Sequence, residues 1–104
     1  MPSYPRSDSV EYKQSAPWTL AIENDANGNP VYIGRAVPAN CLLYAGASPA
    51  VDPKSKPIWQ IQKNTFQALT VGGVTGYYVT DIQWAGGTDT FSNVWNNRAS
   101  VTYA

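Results

Sequence analysis

Apolar and polar residues alternate with a period of two over most of the chain's hydrophobic stretches, and that period belongs to β-strands with one buried face. Trp18, Leu20 and Ile22 alternate with Thr19, Ala21 and Glu23. The run Asn24-Asp-Ala-Asn-Gly-Asn-Pro30 is dense in turn formers, and Asn27-Gly28 is a strong hairpin-tip signal. Val31 to Val37 follows, rich in strand formers, so a β-hairpin is predicted with Leu20 and Ile22 on its buried side. Residues 38 to 57 carry Pro38, Pro49, Pro53 and Pro57 and read as a long connection holding a short strand at Cys41 to Tyr44. Ile58 to Lys63 alternates again, with Trp59 and Ile61 inward and Gln60 and Gln62 outward. Phe66 to Val71 reads as a further strand, and Gly72, Gly73 and Gly76 mark turns. Tyr77 to Trp84 is the longest strand candidate, with Tyr78, Ile82 and Trp84 on one face.

The period changes once. Phe91, Val94 and Trp95 stand at i, i+3 and i+4, so a short helical turn is expected near residues 90–97, with Asp89 or Thr90 as its cap. Val101 and Tyr103 then alternate with Ser100 and Thr102 in a last strand. Residues 1–17 are polar and carry Pro2, Pro5 and Pro17, which favour extended backbone, and they read as an N-terminal arm. Such an arm could reach roughly 50 Å at about 3.3 Å per residue, enough to cross onto a neighbour. The chain is thus expected to be all-β: an extended arm over 1–17 and a single domain over 18–104, a small antiparallel β-sandwich or barrel with one helical turn.

Composition narrows the function. The chain has 104 residues, room for one domain. Charged residues are 13% of it, against roughly 25% in a typical globular domain. With 43% hydrophobic residues this is not the composition of disorder, and it fits a surface partly covered by neighbours. Seven basic and seven acidic residues cancel without clustering, which argues against nucleic acid as a partner. No apolar run is long enough for a membrane helix or a signal peptide. The single cysteine, Cys41, reads as a small buried thiol.

No constellation for catalysis emerges. Histidine is absent, which removes the usual general base, and no phosphate-loop or dinucleotide motif occurs. Asp81 and Asp89 flank a turn as paired acids would, but Asp89 has a simpler use as a helix cap. Asp25, Asn27 and Asn29 have the alternation of oxygen ligands for calcium, but turn chemistry explains them and no completing Glu follows. The expectation is no catalytic residue, no cofactor and no metal.

Aromatic residues are the surplus: four Trp, seven Tyr and two Phe. Trp18, Trp59, Trp84 and Trp95 are assigned to the core, with Arg98 pinning the last strand through a carboxylate such as Asp81 or Asp89. Tyr4, Tyr12, Tyr32, Tyr44 and Tyr77 are the candidate partner-binding residues, because tyrosine gives large contact area at low entropic cost. They could also stack on sugar rings, but protein interfaces explain the low charge as well.

Ile82-Gln-Trp-Ala-Gly-Gly87 and Phe91-Ser-Asn-Val-Trp-Asn-Asn-Arg-Ala-Ser-Val-Thr-Tyr103 carry a resemblance, supported by Tyr32-Ile-Gly-Arg-Ala-Val-Pro38 and Ile58 to Lys63. This block resembles a family of small proteins encoded by tailed bacteriophages, whose members end in a Trp-Ala-Asp-Gly, Phe-x-x-x-Trp, Asp-Asp-Arg pattern. Gly86 stands here where Asp is common and Asn96-Asn97 where acids are common, so no acid or metal site carries over. The resemblance implies a virion protein, made in the host cytoplasm and docked in several copies on the tail, baseplate or fibre-attachment region. Its expected partners are other virion proteins and copies of itself. A capsid decoration protein and a module binding host glycans are the alternatives.

Overall fold

The computed structural model describes residues 18–104; the arm expected over 1–17, with Tyr4 and Tyr12, lies outside them. The elements are β1 (Thr19–Asn24), β2 (Pro30–Ala36), α1 (Pro38–Ala45), β3 (Pro57–Val71), β4 (Val74–Trp84) and β5 (Asn93–Val94). Single 3-10 turns occupy Pro53–Ser55 and Trp95–Asn97. The all-β expectation holds. The strands form one antiparallel sheet in the order β1-β2-β3-β4, with β5 against the start of β3. Among the described residues the sheet is open and does not close into a barrel.

The β1–β2 hairpin forms around the Asn27-Gly28 tip, where Gly28 takes φ 82° and the Asp25 carboxylate accepts the N–H groups of Asn27 and Asn29. The second hairpin turns at Gly72 and Gly73, both at positive φ, between the paired Val71 and Val74. Two consecutive left-handed residues match the twist of the flanking strands, which is why a Gly-Gly pair sits there.

Which face is buried differs from the expectation. Ala21, Gly34, Ile61 and Ala85 lie in one row across the sheet and are buried, whereas Leu20 and Ile22 are 53% and 54% exposed. The reason is volume. Trp59 on β3 and Trp95 from the 3-10 turn pack together at 6.1 Å over this row. A Cβ on Gly34 would stand 2.6 Å from the Trp95 ring. Two indoles fill the layer, so the strands beneath must supply small residues there, and β1 turns Ala21 inward.

Four further expectations change. Cys41 to Tyr44 is helical, within α1, where Pro38 begins the first turn and Ala and Leu favour the helix. Phe66 to Val71 is not separate but continues Ile58 to Lys63, so β3, at 15 residues, and not the Tyr77 to Trp84 segment, is the longest strand. Tyr78 does not share a face with Ile82 and Trp84. A bulge leaves Thr80 unpaired between Val79 and Asp81, and this one extra residue inverts the alternation. The helical turn is only Trp95–Asn97, and Asp89 and Thr90 do not cap it; its N-cap is Val94.

Trp59 and Trp95 are core as expected, with Trp59 1% exposed and its indole N–H donating to the Pro53 carbonyl at 3.0 Å. Trp18 and Trp84 are only half-buried; Trp18 stacks on Phe91 at 5.1 Å. Arg98 pairs with Glu23 at 2.7 Å, not with Asp81 or Asp89, and lies over the Trp95 ring. The chain end forms a single bridge, Tyr103 with Ala85, in place of a full strand.

Tyr103 locks this end by donating its hydroxyl to the Arg98 carbonyl at 2.7 Å. Burial, then the neighbouring Tyr32, raises its pKa from 10.0 to about 12, with Arg98 opposing. The folded pKa exceeds the unfolded one, so the stability contributed is full below pH 10.0 and is lost as pH rises through about 12. A spectrophotometric titration of the folded protein should show one late-ionising tyrosine that vanishes in Tyr103→Phe; an unchanged curve in that variant would refute the assignment.

Candidate assembly surface

The same registers that bury one face leave the other open. Ile22, Ile33, Gln62 and Trp84 form one row across it, and Leu20, Arg35 and Gln60 another. Polar residues on this face are tied to one another: Arg35 donates to Gln62, Gln62 to Asn64, and Asn64 to the Pro30 carbonyl. Asn64 is therefore buried without an orphaned amide, and it anchors the strands where β2 ends.

Beyond that point β3 and β4 continue as a pair alone. From Phe66–Val71 and Val74–Val79 they form a two-stranded ribbon about 20 Å long at the usual rise of a strand. Nearly all of it is exposed. Its large apolar residues Leu69, Val71, Val74, Tyr77, Tyr78 and Val79 are between 41% and 73% exposed. Leu69, Val71, Val74 and Tyr78 lie on one side; Phe66, Tyr77 and Val79 lie on the other. A pair of strands in isolation is marginal in water and needs a third surface.

No residue from Phe66 to Thr80 carries a charge. Natural sheets guard exposed edges with lysine, proline or inward-pointing charge, because unpaired N–H and C=O groups invite another strand. Here only the bulge at Thr80, at the root of the ribbon, interrupts the edge. Among the described residues the outer edge of β4 is unpaired from Val74 to Gln83; at Trp84 the C-terminal Ala104 takes it up. Leu42 and Leu43 on α1 add a second exposed apolar pair.

The sequence-assigned tyrosines divide. Tyr77 stands on the ribbon. Tyr32 is half-buried against Tyr103 at 5.8 Å and belongs to the packing of the chain end. Tyr44 is half-buried with Lys56 5.6 Å above its ring. Of the three assigned tyrosines among the described residues, the structure gathers only Tyr77 with the exposed apolar set. Leu69, Val71, Val74, Tyr78 and Val79 join it as interface candidates that alternation alone does not single out, although the uncharged span is legible in the sequence.

An open groove of about 500 Å³ lies where β2 ends, lined by Asp25, Val31, Tyr32, Lys63, Asn64, Thr65 and Phe66. Its Asp25, Asn64 and Lys63 side chains are engaged elsewhere. Asp25 accepts from Asn29 and Asn27, which lowers its pKa, and Lys63 lies over the Tyr103 ring at 5.5 Å. Asp25, Asn27 and Asn29 are therefore a turn in which the carboxylate serves its own loop. Among the described residues no three His, Cys, Asp or Glu side chains cluster as metal ligands, and no helix is long and apolar enough to cross a membrane. Cys41 is a buried free thiol.

No protein-family model, no curated protein and no solved structure matches this chain.

Proposed function

We propose that this chain is a structural protein of a tailed-phage virion, a small β-domain that docks on the tail, baseplate or fibre-attachment region through protein–protein contacts. The observation that carries the docking role is the ribbon from Phe66 to Thr80: uncharged, exposed on both sides and open along its edge. Such a surface is stable in solution only with difficulty and is suited to burial in an assembly. The phage setting rests on the resemblance of the Phe91 to Tyr103 block. Binding would work by backbone pairing along a strand edge and by tyrosine and valine contacts, with no reaction performed.

The test is packaging. A double variant, Val74→Lys with Val79→Lys, places charges on the ribbon far from the Trp59–Trp95 layer and should fold with an unchanged circular dichroism spectrum. Wild-type protein is expected in purified particles, located by labelling at the tail, and the double variant is expected to be missing from them. Normal packaging of the double variant would overturn the docking role of the ribbon. Label on the capsid surface would select the decoration reading instead, and binding to host glycans lost in Tyr77→Ala would select the sugar reading.

A further inference from the structure

Resting on that assembly reading, we infer that the ribbon's partner is a second copy of this chain, joined edge to edge along β4 about a two-fold axis through Tyr77.

Two antiparallel copies of one strand are related by an axis perpendicular to the sheet. Directly opposed residues must then point to the same face, so some residue faces its own copy and its neighbours pair symmetrically around it. Three centres lie within the regular part of the free edge: Gly76, Tyr77 and Tyr78. With Gly76 at the centre, two glycines oppose each other and the middle of the contact is empty. With Tyr78 at the centre, Gly76 meets Thr80, the bulged residue, whose hydroxyl is turned to the Thr65 carbonyl.

With Tyr77 at the centre, the edge is complementary to itself. Tyr77 meets Tyr77 of the second copy, and each Gly76 faces a Tyr78. Each Thr75 faces a Val79. An aromatic side chain opposite a strand glycine covers the backbone that the glycine leaves bare. Gly76 has room for this, since nothing lies within 4 Å of where a Cβ would stand. It is also not a turn residue: it pairs with Leu69 inside the ribbon, and the turn itself is at Gly72 and Gly73.

Charge points to the same occupant. An isologous contact buries the same strand twice, so any charge without an opposite partner across the axis is buried twice, and an uncharged strand suits it. Phe66 to Thr80 carries no charge, and Asp81 falls outside the paired residues in this register.

The experiment uses the full chain with its only cysteine changed, Cys41→Ala. In that background Tyr77→Cys should form a covalent dimer on mild oxidation. Thr75→Cys and Val79→Cys should each stay monomeric when oxidised alone and should cross-link when mixed, a pair that leaves both tyrosines in place. Sedimentation of the wild-type chain should show a dimer that Gly76→Glu shifts to monomer without loss of the circular dichroism spectrum. A wild-type chain that stays monomeric at high concentration, or a mixture of Thr75→Cys and Val79→Cys that gives no dimer, overturns the inference. A monomeric chain that still enters particles in a ribbon-dependent way leaves the virion reading standing; an in-register dimer absent from particles does the reverse.

Discussion

Replacing Trp59 by alanine is expected to unfold the domain at ordinary temperature. Trp59 is 1% exposed and packs against Trp95, and its ring also approaches the Gly34 backbone. Truncating a buried Trp to Ala typically costs about 3–5 kcal/mol, from lost transfer energy and from the cavity left behind. The Pro53 carbonyl would lose its indole donor as well. Among the described residues the buried core otherwise holds only Ile58, Ile61 and Trp95 as large side chains, with Ala21, Ala36, Cys41 and Ala85. A domain of this size is stable by about 5–15 kcal/mol in total, and one with so few large buried side chains belongs at the low end. Denaturant melts followed by circular dichroism check this. Trp59→Phe, which keeps most of the volume and loses the indole N–H, should remain folded with a lower midpoint. A cooperative, near-wild-type melt for Trp59→Ala would show that the indole layer is not the core.

The second large effect comes from adding atoms. Gly34→Val should destabilise the domain by about 1–3 kcal/mol or more, the range for overpacking a well-filled layer. The first added carbon would meet Trp95 at 2.6 and 2.8 Å and Trp59 at 3.2 Å. Those contacts are ring atoms of buried side chains, and β2 is held on both sides by β1 and β3. Neither partner can give way cheaply. Even Gly34→Ala should show a measurable loss, and shrinking the ring with Trp95→Leu should make the alanine less harmful, a coupling that a double-mutant cycle reads directly. If Gly34→Ala proves as stable as the wild type, the close stacking of Trp95 on β2 is wrong.

These two variants mark where local pattern loses its force. Alternation at Trp18 to Glu23 identifies a strand, and alternation assigns its apolar side to the core by default. The default fails because the core here is two indoles thick at that point. Leu20 and Ile22 would not fit where Ala21 fits, so they stand on the open face. A hint existed in the sequence, since Ala21, Gly34 and Ala36 are all small, but their alignment is known only once the hairpin register is set. Thr80 is a similar case. One unpaired residue reverses every side chain beyond it, and nothing in Tyr77 to Trp84 announces which residue will bulge.

The candidate surface was legible in part. The absence of charge from Phe66 to Thr80, the Gly72-Gly73 turn and the apolar residues on either side can all be read directly. What they cannot reveal is that β2 stops at Pro30 and that no other described strand accompanies the hairpin outward. A hydrophobic hairpin buried in a sheet and one projecting from it have the same local sequence.

The sequence by itself determined the all-β character, both hairpin turns, and the inward setting of Trp59 and Ile61. Each follows from short-range chemistry: the period of two, the left-handed preference of glycine, and alternation within one strand. Only the tertiary structure decided which face of β1 is buried, that Arg98 reaches Glu23, and that the β3–β4 ribbon stands free. Those depend on which strands lie side by side and on how much volume the indoles already occupy, and such quantities exist only after distant segments have met.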